Sequence, residues 1–383
     1  MSTASPTDTP AGPPSPLLEV HRALGGELID YGGIETVHAY DAPQAEYAAI
    51  HKACGLMDRP FRGVLAVGGN DRHSFLNNFL TNQTYSKETK RGLSAGQGVY
   101  AFLLNVKGRI VADLNVLETG DEVLLETDRR LLPLVRPALE KFVFTERVTF
   151  HDRSGEWSEL GLYGPAALSV LQEAGSVAAE LSELGIRRVS LFGHEGWLFR
   201  DDLCGKAGYH LLLPRASLLE VWEKLNAPYR DQANKRLLRP VGWAMFNACR
   251  IEAGRPLFGI DFTDQSLPAE TGLFERAVSV TKGCYLGQEI VARMYARGQV
   301  ARKVVGLRIA DDALPAAGAE VTDESGENIV GAVTSSTLSP VLGGAAIALA
   351  VIKKGYFDPG TRLRVPAEGA HHIAHVTALP FIR

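Results

Sequence analysis

From Val300 onward the helical spacing of the earlier sequence disappears, and short apolar runs take over: K-V-V-G-L-R-I, E-N-I-V-G-A-V-T-S, A-A-I-A-L-A-V-I and T-R-L-R-V. Clusters of Gly, Pro, Asp and Ser separate them, the punctuation of closely spaced strands. The pattern suggests a small β-barrel at the carboxy end, with a boundary near Arg302. At 383 residues the chain exceeds one ordinary domain, so two or three packed units are expected.

Upstream, helices and strands are mixed. Tyr47 to Leu56 carries apolar residues at helical spacing, Gly63 to Gly68 reads as a strand, and Asp71 to Leu80 as a helix with Phe75, Leu76, Phe79 and Leu80 on one face. Val99 to Leu104, Ile110 to Leu117 and Glu122 to Glu126 are β-rich runs separated by K-G-R and T-G-D turns. That arrangement predicts an antiparallel meander rather than a doubly wound sheet. A helix follows over Leu131 to Phe142, and then a second alternation. Strands are expected near Leu160 to Tyr163, Trp197 to Arg200 and Tyr209 to Leu213, with helices over Pro165 to Gln172 and Ala216 to Leu225. The fold class is α+β, divided into a disordered tail over 1–16, mixed units over 17–150 and 151–301, and the barrel over 302–383. No G-x-G-x-x-G follows a strand, which argues against a dinucleotide-binding domain.

Lysine and arginine total 40 against 44 acidic residues, and the net charge of -4 offers no general attraction to nucleic acid or anionic lipid. Neither is expected as a partner, although the basic run from Arg293 to Arg302 can hold a small anion locally. The most apolar window, Gly343 to Ile352, is about half the roughly 20 residues a membrane-spanning helix needs. The amino terminus lacks the basic start and apolar stretch of a secretory signal. Cys54, Cys204, Cys249 and Cys284 stand far apart with no C-x-x-C pair, which points to a reducing cytoplasm rather than to zinc or a disulfide framework.

Lys282 to Glu289 reads K-G-C-Y-L-G-Q-E. The thiol of Cys284 lies in a glycine-punctuated segment, Gly283 before it and Gly287 after it, beside Lys282, Tyr285 and Gln288. Glycine permits close approach of another molecule, and a nearby ammonium favours the reactive thiolate. One cysteine cannot hold a stable cluster, and no resident metal site is predicted.

K-G-C-Y-x-G-Q-E followed by V-A-R resembles the signature of the YgfZ family, folate-binding relatives of the glycine-cleavage T-protein. Here it runs from Lys282 to Arg293. C-G-L-M-D-R from Cys54, L-N-V-K-G-R-I-V-A-D from Leu104 and R-I-E-A-G-R-P-L-F-G-I-D from Arg250 look like T-protein-superfamily segments in the expected order. The resemblance implies two mixed units around a central opening, closed by the barrel. It also implies tetrahydrofolate or a derivative as ligand, and a role in maturing or repairing iron-sulfur enzymes through contact with client or carrier proteins at Cys284. The alternatives are a folate-dependent aminomethyltransferase and a non-catalytic scaffold without folate binding.

The same resemblance places Asp113 beside the reacting folate nitrogen, with Tyr100 and Asn105 nearby, where a carboxylate can exchange a proton. Asp113 ending a strand or pairing with Arg109 is the structural alternative. Tyr100, Trp243 and Phe246 are candidates for an apolar slot, and Arg250, Arg276, Arg293 or Arg297 for the anionic tail. T-proteins grip the pterin with a glutamate where this chain has His210, in L-C-G-K-A-G-Y-H. Phe246 and Asn247 likewise replace an arginine and an aspartate.

Overall fold

The computed structural model describes residues 12–175, 179–230, 238–298 and 300–382; the side chains of 228–230 and 297 lie outside that description. The expected tail falls largely on residues 1–11, outside the described residues. Ser15, however, is buried and donates to Asp58 at 2.5 Å, ahead of the expected start at Leu17.

The chain forms two compact units. One comprises Met1–Ala101, Leu114–Asp202 and Lys206–Phe246; the other comprises Phe102–Asp113, Leu203–Gly205 and Asn247–Arg383.

The first unit carries a six-stranded sheet in the order Ile186–Leu191, His194–Arg200, Gly208–Pro214, Trp157–Tyr163, Cys54–Asp58 and Leu238–Pro240. Cys54–Asp58 pairs antiparallel with Trp157–Tyr163, across the expected boundary at residue 150, and parallel with Leu238–Pro240. Leu160, Leu162, Leu211 and Leu213 of the sheet pack with Val170 and Leu171 of the helix Ala167–Ala174. Val221, Trp222 and Leu225 of Leu218–Arg230 complete this core. Each fully buried leucine stabilises the fold by about 1.5–3 kcal/mol.

The expected meander is present. Gly98–Leu104, Ile110–Glu118 and Val123–Asp128 continue through Arg62–Gly68 to Thr149–Asp152 as a five-stranded sheet. Gly108 and Gly120 turn the hairpins with φ of 70° and 107°, values that favour glycine.

In the second unit, six strands close a barrel in the order Arg302–Ile309, Ala345–Lys353, Ile329–Ser339, Glu320–Asp323, Arg362–Ala367 and Ala370–Thr377. Strand alternation sends Ala346, Ala348, Ala350 and Ile352 into the barrel core. Ile347 and Leu349 face the other way and pack with Ile251 and Val304. Both faces are covered, which accounts for the unbroken apolar window read from Gly343 to Ile352. Among the described residues no helix is long and apolar enough to cross a membrane.

Candidate functional site

Charged residues set in apolar strands mark the first unit. Arg59 follows Cys54–Asp58, Glu159 lies in Trp157–Tyr163, and His210 lies in Gly208–Pro214. Gly161 is the cross-strand partner of His210, so Glu159, two residues along, shares its face. The His210 Nδ1 lies 2.8 Å from Glu159 Oε1, and Arg59 Nη1 donates to the same oxygen while lying against Nδ1. Because a carboxylate only accepts, the bond to Glu159 requires a proton on Nδ1; Nε2 faces the Asp201 carbonyl at 3.3 Å.

Burial opposes the Glu159 charge, but Arg59 and the His210 hydrogen bond outweigh it and hold its carboxyl well below the usual range. Glu126 shifts the other way, because its burial exceeds what Arg62 offsets and Glu159 adds repulsion. Asn115 donates to Glu126 at 2.8 Å and to Asp201 at 3.2 Å. Glu159 Oε2, Arg59 Nε and Asn115 Oδ1 are buried and unpartnered, leaving hydrogen-bonding capacity that costs free energy until something meets it.

Aromatic rings surround this cluster. Phe199 stacks on His210 at 4.7 Å, Tyr163 meets His210 at 5.6 Å, and Phe246 lies 5.3 Å from Tyr163. Trp243 joins Phe246 at 5.6 Å, Phe61 at 5.6 Å and Tyr31 at 5.0 Å. Arg59 lies over Phe61 and Phe246. Phe246 is core, whereas Trp243 and Tyr31 are partly exposed at its margin. The sequence reading named Trp243, Phe246 and His210 but missed Arg59, Glu159, Tyr31 and Phe61. A glutamate inside the apolar run W-S-E-L-G-L-Y was the available signal. Tyr100 is also buried in this unit, its carbonyl accepting from Asn82 at 3.0 Å.

In the second unit, two segments far apart in sequence meet. Gly287, with φ of 80°, precedes the helix Gln288–Arg297 and packs on the Asn105–Gly108 turn. The Asn105 side chain accepts from the backbone of Lys107 and Arg109 at 2.9 and 3.2 Å, so it shapes the turn. Asp113 lies inside Ile110–Glu118 and is 8% exposed, which removes the strand-end alternative. Arg109 donates to the Gln265 carbonyl.

Cys284 is exposed, and the Lys282 ammonium lies 4.8 Å from the Tyr285 ring centroid. Burial pushes the Tyr285 phenol up to about 12. Gln288 accepts from the Tyr285 backbone at 2.9 Å; Gly283 and Glu289 are exposed.

Arg250 departs from expectation. It is fully buried, pairs with Asp261 and donates to Asn247 at 2.9 Å. Asp261 in turn accepts from Thr334 and Ser335, each at 2.6 Å. The guanidinium is therefore held in the interior by its ion pair, away from solvent, with Nη2 left unpartnered. Arg293 is exposed and Arg276 partly so, while the Arg297 side chain lies outside the described residues.

The GCVT N-terminal domain model matches residues 17–282, and the glycine cleavage T-protein C-terminal barrel domain model matches residues 302–382. An aminomethyltransferase from Thermoanaerobacter pseudethanolicus is 29% identical over 356 residues, covering 92% of each chain. One from Saccharopolyspora erythraea is 29% identical over 374 residues, covering 96% of this chain and 98% of the other. The crystal structure of glycine cleavage system aminomethyltransferase T from Bartonella henselae superposes with a TM-score of 0.84 at 25% identity, covering 96% and 97% of the two chains. These end-to-end likenesses overturn the expectation of an iron-sulfur accessory factor acting through Cys284. The motif around that cysteine is one short loop, whereas the match to aminomethyltransferases spans both units.

Proposed function

Because the chain belongs to the glycine cleavage T-protein family, we propose that it is a tetrahydrofolate-dependent aminomethyltransferase. The observation that carries this reading within the structure is the Arg59–Glu159–His210 cluster with its aromatic surround. A pterin is flat and edged with donors and acceptors, so it requires both an apolar slot and directed polar atoms. Trp243 and Tyr31 offer partly exposed ring surface. The unpartnered Glu159 Oε2 offers a carboxylate acceptor. His210 had appeared to cost this chain the family's carboxylate; Glu159, held against it from the neighbouring strand, returns one.

The family resemblance, rather than any position relative to that cluster, assigns Asp113 the role of general base. As the folate nitrogen bonds to the transferred carbon, the carbon's bond to its leaving group breaks, and the Asp113 carboxylate takes the nitrogen's proton and returns it to that leaving group. General-base help of this kind contributes roughly 10²–10⁴-fold.

The test is reconstitution of glycine cleavage with this chain in place of the T-protein, following methylene-tetrahydrofolate. Sustained product formation, reduced about 10²-fold or more in Asp113→Ala, is the expected result. Saturable tetrahydrofolate binding without any product would overturn the enzymatic reading and leave a folate-binding scaffold.

A further inference from the structure

The first unit holds a polar cleft in which Arg59 and Glu159 are joined by Arg62, Arg129, Arg215 and Asp58 among others. Most of its charged groups have side-chain partners. Arg59 pairs with Glu159, Arg62 with Glu126, and Asp58 takes Ser15 and His21. Two do not: among the described residues, Arg129 and Arg215 form no carboxylate pair, and their side chains meet main-chain carbonyls instead. Arg129 donates to Pro13 O at 3.2 Å and Arg215 donates to Pro14 O. Arg129 Nε and Ser154 Oγ, also at this cleft, are buried without a partner.

Burial and the charge of Arg215 work against the Arg129 guanidinium and outweigh the support of Asp128 and Asp58, depressing its pKa. Neither guanidinium has a carboxylate within ion-pair distance among the described residues, and the side-chain hydrogen bonds of both go to neutral carbonyls. A charge-assisted hydrogen bond is roughly twice as strong as a neutral one, so an oxyanion satisfies these donors better than the carbonyls do. Consecutive carbonyl oxygens from Pro13 and Pro14 imitate two oxygens of such an ion.

We propose that Arg129 and Arg215, with Ser154, form a binding site for a small oxyanion of the phosphate or carboxylate type, and that residues 13–15 compete for it. The segment is fastened by the two guanidinium contacts and by the Ser15 hydrogen bond to Asp58. Anion binding exchanges the first two and leaves the third. The cleft shares Arg59 and Glu159 with the proposed pterin site, but its anion donors, Arg129, Arg215 and Ser154, have no part in that reading, so anion binding is tested independently of the activity.

Calorimetric titration of the full chain with inorganic phosphate, and separately with glutarate, at constant ionic strength tests the proposal. Saturable binding of at least one anion is expected; which of them binds identifies the phosphate or the carboxylate source. Arg129→Gln and Arg215→Gln each weaken it about tenfold or more, with thermal unfolding verifying that the variants fold. Should Arg129→Gln fail to fold, Arg215→Lys, which keeps the charge but loses the planar fork, still weakens binding. Ser15→Ala loosens the competing segment and tightens binding severalfold. Absence of saturable binding by either anion, or binding unchanged in the arginine variants, would overturn the site. Unchanged affinity in Ser15→Ala would overturn the competition.

Discussion

A Cβ placed on Gly287 would stand 2.5 Å from the Asn105 carbonyl oxygen. The glycine of K-G-C-Y-L-G-Q-E is thus required by the L-N-V-K-G-R turn, and the two motifs are parts of one packing arrangement in the second unit. Its φ of 80° adds a conformational demand that other residues meet poorly. Gly287→Ala is expected to destabilise the protein by about 1–2 kcal/mol from backbone strain, with a further steric cost. Denaturant unfolding measures it; a loss below a few tenths of a kcal/mol would mean that the turn simply moves aside.

Glu159→Gln keeps the shape of the side chain and leaves Arg59 without its charged partner. Both groups are almost fully buried, and breaking such a pair costs roughly 3–5 kcal/mol. The pH dependence has a definite sign. The folded carboxyl titrates below its unfolded value, near 4.3 for a free glutamate. Its stabilisation is therefore complete above about pH 4.3 and disappears as the pH falls through the lower folded value. Acid unfolding followed by circular dichroism should be steeper in the wild type than in Glu159→Gln below that pH.

The fold was legible where local pattern decides structure. Gly, Pro and Asp punctuation after Val300 marks the barrel, and K-G-R and T-G-D mark the turns of the meander, because turns are set by the residues in them. The polar cluster was not legible in the same way. Arg59 reaches Glu159 across 100 residues and His210 across 151, and no periodicity within a strand encodes such pairing. Arg250 was misread because the arginine that opens R-I-E-A-G looks available in sequence, whereas Asp261, with Thr334 and Ser335 bonded to it, forms its buried surroundings. Cys284 drew attention by the distinctiveness of its motif, which is a statement about one loop and carries no information on the chemistry of the remaining chain.

Trp243→Ala removes a partly exposed ring that touches Tyr31, Phe61 and Phe246. Stacking of a flat heterocycle on an aromatic side chain is worth about 1–3 kcal/mol, so tetrahydrofolate affinity should fall about fivefold or more. Trp243→Phe preserves most of the ring face and most of the affinity. Equal binding by all three proteins in a calorimetric titration would place the pterin away from this ring.

Cys284 is the exposed member of the four cysteines, and Cys54, Cys204 and Cys249 are buried. Burial pushes the thiols of Cys54 and Cys249 upward, with Cys204 adding to the effect at Cys249. Alkylation proceeds through the thiolate and requires access. Brief treatment of the native protein with iodoacetamide should therefore add one equivalent, at Cys284, while the unfolded chain accepts four. In the aminomethyltransferase reading this sulfur takes no part in group transfer, so Cys284→Ser and the singly alkylated protein should both form methylene-tetrahydrofolate within about twofold of the wild-type rate, a change of less than about 0.5 kcal/mol in the barrier. A loss of 10²-fold or more in Cys284→Ser, with unfolding unchanged, would return the thiol to the chemistry.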